Sequence, residues 1–191
     1  MISTFTAVLD ANVLYKSRLR SLLMELAMSG LFRARWTEDI HREWMTNVSK
    51  NVGIEISKLE KTRRDMDRAV PDCLITGYET LIPALSLPDP DDRHVLAAAI
   101  RGSASAIVTF NEKDFPAGAL SAFGIHTLHP DQFIKDLDGV DQGTVIDAAK
   151  YDWQHYQNPP LSVDDYIGGL EAAGAPMTAA HLRKIKVLFE S

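Results

Sequence analysis

Short apolar runs alternate with helical stretches from residue 4 to residue 129, and that alternation leaves few folds open. Residues 4–9, with Phe5-Thr6-Ala7-Val8-Leu9, read as a buried strand. Residues 13–30 place Val13, Leu14, Leu19, Leu22, Leu23, Leu26 and Ala27 at helical spacing, with Gly30 as the stop. Phe32-Arg33-Ala34-Arg35-Trp36 reads as a second short strand, and Thr37 then offers an N-cap for a helix over 38–50. A charged helix over 54–69 ends before Pro71. Cys73-Leu74-Ile75 reads as a third strand, and residues 78–87 fit no single pattern. Asp89-Pro90 starts a helix over 91–101, with Asp at the N-cap and Pro at N1. Ala106-Ile107-Val108-Thr109 and Ile125-His126-Thr127-Leu128 are the last two strands. Strands that alternate with helices predict an α/β fold: a parallel sheet of four or five strands in a three-layer α/β/α arrangement.

Acidic residues stand at the ends of these elements. Asp10 closes the first apolar run, Glu43 lies in the helix after Thr37, Asp92 falls at a helix start, and Asp114 follows the strand that ends at Thr109. In open parallel sheets, ligands bind at the carboxyl ends of the strands, so these acids converge on one crevice. Gathered carboxylates repel unless they are protonated or bridged by a cation. Oxygen-only donors select hard ions, Mg²⁺ or Mn²⁺. That chemistry points to metal-dependent hydrolysis of phosphodiesters. Taken singly, the acids have ordinary readings: Asp10 as a helix cap, Glu43 as a solvent-facing residue, Asp92 as an acid that complements the helix dipole, Asp114 as a loop residue.

The chain has 191 residues, enough for one good core and an appended subdomain. No stretch approaches the roughly 18 apolar residues of a membrane span. The first residues lack a basic segment and run straight into a strand, so no signal peptide is expected and a cytoplasmic location follows. Cys73 is the single cysteine, which excludes an internal disulfide and a cysteine-based zinc site. Net charge is −6, but residues 1–70 carry 12 Lys+Arg against 9 Asp+Glu, while residues 71–191 carry 8 against 17. A basic first third beside an acidic site would suit a polyanion held by its backbone.

Beyond Pro130 the pattern becomes wholly helical, with segments at 131–137, 141–156, 163–173 and 178–189. Ser162 and Thr178 are the expected N-caps there. Two units are therefore expected, residues 1–129 and a helical extension over 130–191 that packs on the core.

The ordered set Asp10-Ala11-Asn12-Val13-Leu14, then Glu43, then Asp92-Arg93-His94-Val95-Leu96-Ala97-Ala98-Ala99, then Val108-Thr109-Phe110-Asn111-Glu112-Lys113-Asp114-Phe115 resembles the PIN-domain ribonucleases. Among these it is most similar to VapC-type toxins of bacterial toxin–antitoxin pairs. The resemblance covers residues 4–129 and implies a metal-dependent endoribonuclease, with Asp10, Glu43, Asp92 and Asp114 as catalytic acids. Asp10, Asp92 and Asp114 would hold Mg²⁺ or Mn²⁺, and Asn12, Thr109 and Asn111 would support them. It also implies an RNA substrate and a small antitoxin partner, and it leaves open whether two copies pair as a homodimer.

Two departures stand out. Asn111 occupies a place often held by Asp, which bears on a second metal, and the chain runs on past the last strand where compact toxins stop. Two other readings compete. A catalytically degenerate PIN-fold binding scaffold would rest on Asn111. A Rossmann-like phosphatase with Asp10 as nucleophile would want Asp at 12 and Ser or Thr at 14, where this chain has Asn12 and Leu14. His41 and His94 are expected to be structural or substrate-contacting, since imidazole suits zinc better than magnesium. Trp36, Trp44 and Trp153 are expected in the core.

Overall fold

In the computed structural model, which describes residues 5–189, four strands form one parallel sheet. The strands are β1 (Thr6–Leu9), β2 (Arg33–Arg35), β3 (Ala106–Val108) and β4 (His126–Leu128), in the order β2-β1-β3-β4. Val8 lies opposite Arg35 on one side and Ile107 on the other, and Ile107 opposite Thr127. Every residue of β1 and β3 is buried, so helices cover both faces of the sheet centre, as parallel sheets require. Of the expected first strand, Thr4 lies outside the described residues, as do 190–191 of the expected extension.

The helix expected over 13–30 is two helices, α1 (Ala11–Leu14) and α2 (Ser17–Met28). The chain is extended at Lys16 (φ −80°, ψ 97°), and Arg20 Nη1 donates to the Leu14 carbonyl at 2.6 Å, satisfying an acceptor that the break sets free. Thr37 caps α3 (Glu38–Val52), accepting from Ile40 N at 3.1 Å, and Gly53 ends it in the left-handed region at φ 77°. The following helix is α4 (Ile56–Ala69).

One carboxylate ties this region together. Asp67 Oδ1 accepts from Trp36 Nε1 at 2.8 Å and from His41 Nε2 at 2.9 Å, while His41 Nδ1 accepts from Trp44 Nε1 at 2.9 Å. Burial lowers the His41 pKa, which leaves the ring neutral with its proton on Nε2. His41 is thus a structural residue that fixes α3, and Trp36 and Trp44 are fully buried core.

The third strand expected at Cys73–Ile75 is a correction. Only Leu74 bridges to Trp36, with Trp36 N bonded to Cys73 O and Ile75 N to Trp36 O, each at 2.9 Å. Asp72 before it (φ 55°) and Gly77 after it (φ 73°) are both left-handed, so turns on either side leave no length for a strand. Cys73 is buried and its thiol is pushed up to about 12 by burial, an inert core residue.

Residues Glu79–Ala84 form a 3₁₀ segment. Asp89 caps a 3₁₀ turn, Pro90–Asp92, through Asp91 N at 2.9 Å, and α5 (Arg93–Arg101) follows. After β3 come a 3₁₀ turn at Glu112–Asp114 and the short α6 (Ala117–Leu120).

The remaining helices are α7 (Pro130–Val140), α8 (Gln142–Gln154), α9 (Val163–Ala172) and α10 (Pro176–Lys184). Ser162 caps α9 as expected, accepting from Asp165 N at 3.1 Å. Thr178 does not cap α10. That helix starts at Pro176, and the buried Asp131 on α7 accepts from the amides of Met177 (2.7 Å) and Thr178 (2.9 Å) and from the Thr178 hydroxyl (2.7 Å). A carboxylate from another helix does the capping.

Helix α8 packs along α2, where Ser21 donates to Asp152 and Tyr166 donates to the other Asp152 oxygen at 2.8 Å. Phe133 packs edge-on against Phe32 with centroids 4.8 Å apart. Phe133, Ile134, Leu137, Val145, Ala149, Tyr166, Ile167, Leu170 and Leu182 are all buried. Trp153 is half-buried and its indole N–H donates to Leu161 O at 2.7 Å, which makes it a packing residue too.

Candidate active site

The two central strands end side by side, and their next residues meet. Asp10 follows β1 and Thr109 follows β3, with Asp10 N bonded to Val108 O at 3.1 Å and Thr109 N to Leu128 O at 3.0 Å. Asp10 is 3% exposed and Thr109 fully buried. Burying a carboxylate is costly without partners, and Asp10 has several. Its Oδ1 accepts from Ala11 N at 2.7 Å; its Oδ2 accepts from the Thr109 hydroxyl at 2.7 Å and from Asn12 Nδ2 at 2.6 Å.

Asn12 and Thr109 lock one another. Asn12 Nδ2 also donates to Thr109 Oγ1 at 2.9 Å, Asn111 N donates to the same hydroxyl at 3.0 Å, and Asn12 Oδ1 accepts from Phe110 N at 3.1 Å. With two donors on the Thr109 oxygen, its one proton is committed to Asp10. Of the three residues expected to support the acids, Asn12 and Thr109 hydrogen-bond to the Asp10 carboxylate through their side chains, whereas Asn111 joins through its backbone and is exposed.

The other acids act on this anchor and on one another through their charges. Asp92 is half-buried at the entry to α5, Asp114 is half-buried in its 3₁₀ turn, and Glu43 is exposed on α3. Asp92 is pushed up to about 7, first by burial and then by the charges of Asp10, Asp89, Asp114 and Glu43. Asp10 is pushed up to about 6, mainly by burial, with Glu43 adding to it and the Thr109 hydrogen bond opposing.

His94 was not among the expected acids' partners, and its Nε2 lies 3.5 Å from Glu43 Oε2. Burial works against a charged His94, but Glu43, with Asp39 and Asp10 behind it, outweighs that and raises its pKa. His94 stands two residues beyond Asp92 and 51 positions from Glu43, so no local sequence pattern signals this contact. As the side chains stand, no three His, Cys, Asp or Glu among the described residues are gathered tightly enough to hold a metal ion. The donor chemistry nevertheless fits a hard divalent cation: the acids supply oxygen donors, and the mutual repulsion that adds to burial in raising Asp92 is what such a cation would relieve.

Residues 6–113 match the PIN domain family, a match that runs through Asp10, Glu43, Asp92 and Thr109. The chain belongs to the PIN domain family. Residues 130–184 match a second family, the VapC50 C-terminal domain. A Mycobacterium tuberculosis protein named "Putative ribonuclease VapC50" is 38% identical over 116 residues, covering 57% of this chain and 63% of that protein. The matched stretch thus spans less than two thirds of that relative's length. No solved structure matches the chain at a significant level. Among the described residues, no helix is long and apolar enough to cross a membrane.

The raised acids of this PIN site carry a pH dependence. Asp10 has a folded pKa of about 6 against an ordinary 3.8, so the folded state binds this proton more tightly than the unfolded one. The resulting penalty is absent below the unfolded value, grows as pH rises, and is complete above about 6. The full penalty is about 3 kcal/mol, of which about 2 kcal/mol develops between pH 4.5 and pH 8, while the roughly 1 kcal/mol for the acceptor that an amide would lose does not change with pH. In EDTA, Asp10→Asn should therefore gain on the wild type between pH 4.5 and pH 8, by about 4–8 °C in Tm difference. Parallel thermal melts at the two pH values measure it, and a difference that does not change with pH contradicts the buried-acid account.

Proposed function

We propose that this PIN domain is a metal-dependent endoribonuclease and the toxin of a toxin–antitoxin pair. The observation that carries the reading is the buried Asp10 carboxylate, fixed by Asn12 and Thr109 at the carboxyl end of the central strands, with Asp92 near enough to feel the charges of Asp10, Asp114 and Glu43. Asp10, Asp92 and Asp114 would hold Mg²⁺ or Mn²⁺. The bound ion supplies Lewis-acid activation of a water and neutralises the scissile phosphate.

The chain's own residues prepare that chemistry. Thr109 and Asn12 hold Asp10 Oδ2 in one orientation, so the acid pays no reorganisation cost when substrate arrives. Glu43 completes the acid set or positions the water, and its pairing with His94 holds it at the site. In-line attack would leave a 5′-phosphate and a 3′-hydroxyl. The two units are proposed to divide the work: residues 1–129 cut, and residues 130–191 support the core.

Labelled single-stranded RNA incubated with the chain in Mn²⁺, with an EDTA control, tests the reading. Cleavage that appears with Mn²⁺ and vanishes in EDTA supports it. RNA that stays intact while the protein is folded would instead favour a binding scaffold.

Asp114 is the acid whose place in the set rests on the least. If it is a direct ligand, Asp114→Asn should need about tenfold more Mg²⁺ for half-maximal cleavage, on the scale of weakened metal sites. An unchanged Mg²⁺ titration would remove Asp114 from the shell.

The proposed antitoxin would block the site with a peptide that inserts an Arg among the acids, since a guanidinium pairs bidentately with carboxylates where the cation would sit. Expressing the chain alone should arrest growth, and co-expressing the neighbouring gene should rescue it. Harmless expression of a protein that cuts RNA in vitro would count against the toxin role.

A further inference from the structure

A groove of about 570 Å³ opens beside the acid cluster, and Asn12 lines both. Its other walls come from three parts of the chain: Tyr15 and Lys16 where α1 breaks, Asn47 and Asn51 on α3, and Phe110 after β3 facing Gly174 at the end of α9. Its lining is unlike that of the neighbouring site. It contains two aromatic rings, two exposed side-chain amides and one ammonium, and none of its lining residues is acidic.

The helix geometry aligns this groove with the catalytic acids. Glu43, Asn47 and Asn51 recur every four residues on α3, which puts them on one face as a stripe leading away from the acid cluster. The ordering of the groove is coupled to the site as well. Phe110 N donates to Asn12 Oδ1, and Asn12 in turn holds Asp10.

The C-terminal extension closes the far wall. Gly174 is left-handed at φ +96°, and a Cβ there would stand 2.7 Å from the Phe110 ring. Only glycine allows the extension to come this close to the loop after β3. Small residues, Ala172 to Gly174, face the groove, so that wall is shaped for contact without charge.

We propose that this groove is a base-binding subsite for single-stranded RNA, holding a nucleotide that flanks the scissile phosphate, with the C-terminal extension as one wall. The proposal rests on the ribonuclease reading above. A volume within the roughly 300–1,000 Å³ of ligand pockets accommodates a nucleotide. Tyr15 and Phe110 offer stacking faces, Asn47 and Asn51 offer paired donors and acceptors for a base edge, and Lys16 offers a phosphate contact.

The test compares the full-length wild type with Tyr15→Leu and with Asn47→Ala/Asn51→Ala. Cleavage of single-stranded RNA is measured with melting temperatures as the folding control, and an RNA carrying 5-iodouridine is photocrosslinked to the wild type. The subsite predicts about a tenfold loss of kcat/KM in each variant, carried by KM with kcat and Mn²⁺ requirement retained, as expected for lost base stacking in Tyr15→Leu and lost base-edge hydrogen bonds in the double variant. It also predicts crosslinks on Tyr15 or Phe110. A wild type that cuts RNA while both variants match it and crosslinks fall elsewhere overturns the subsite and leaves the nuclease intact; a groove that docks a protein would give that result. A folded wild type that neither cuts nor crosslinks RNA overturns the ribonuclease reading, and the subsite with it.

Discussion

Asp10→Asn is expected to lower RNA cleavage by at least about a hundredfold, the scale of losing several kcal/mol of charge stabilisation at a metal site. The substitution keeps the volume and removes a charge from the point where β1, Asn12 and Thr109 converge. The fold should survive, because Ala11 N and the strand hydrogen bond from Asp10 N do not depend on that charge. Cleavage assays at saturating Mn²⁺, paired with circular dichroism, make the comparison. Wild-type cleavage by the variant would remove Asp10 from the catalytic centre.

Deleting residues 131–191 is expected to produce an aggregating protein. Phe32 would lose its edge-on partner Phe133, and the face of α2 that packs on α8 would meet water, including Ser21, which donates to Asp152. Each large apolar side chain exposed costs about 1.5–3 kcal/mol, and a domain's whole stability is about 5–15 kcal/mol. Losing the partners of several such residues is enough to unfold it. The extension carries 5 Lys+Arg against 10 Asp+Glu from residue 131 onward, so electrostatic attraction to phosphates is not what retains it. Size-exclusion chromatography of the truncated chain measures the outcome. A soluble monomer with the full-length Tm would show that residues 131–191 are a separate module.

What could be read from the chain follows the range of the forces involved. Local pattern found β1, β3 and the carboxylate between them, because an acid ending a four-residue buried run has no cheap placement except beside partners. The caps at Thr37, Asp89 and Ser162 are set within three residues and were equally legible. The break at Lys16 was hidden, since it depends on the Arg20 guanidinium reaching back to Leu14 rather than on any helix breaker. Thr178 looked like a cap because nothing near it announces that Asp131 does that work from 47 positions away. Cys73–Ile75 has strand-like residues, but left-handed Asp72 and Gly77 limit it to one bridge. Glu43 was indistinguishable from a solvent-facing helix acid until the motif order placed it, and its contact with His94 is a long-range fact of packing. The groove walled by Gly174 joins residues more than 150 positions apart, beyond the reach of any local pattern.

In the proposed function, Asp10, Asp92 and their neighbours gather a hard cation at the carboxyl end of the sheet. Calorimetric titration of Mn²⁺ into the metal-free protein at pH 6.5, repeated in two buffers of different ionisation enthalpy, tests it most directly. Asp92, pushed up to about 7, and Asp10, pushed up to about 6, are both partly protonated there, so binding must release protons. The account predicts saturable binding whose heat depends on the buffer, and its loss in Asp10→Asn. No saturable heat in the wild type, or the same heat in Asp10→Asn, would contradict it.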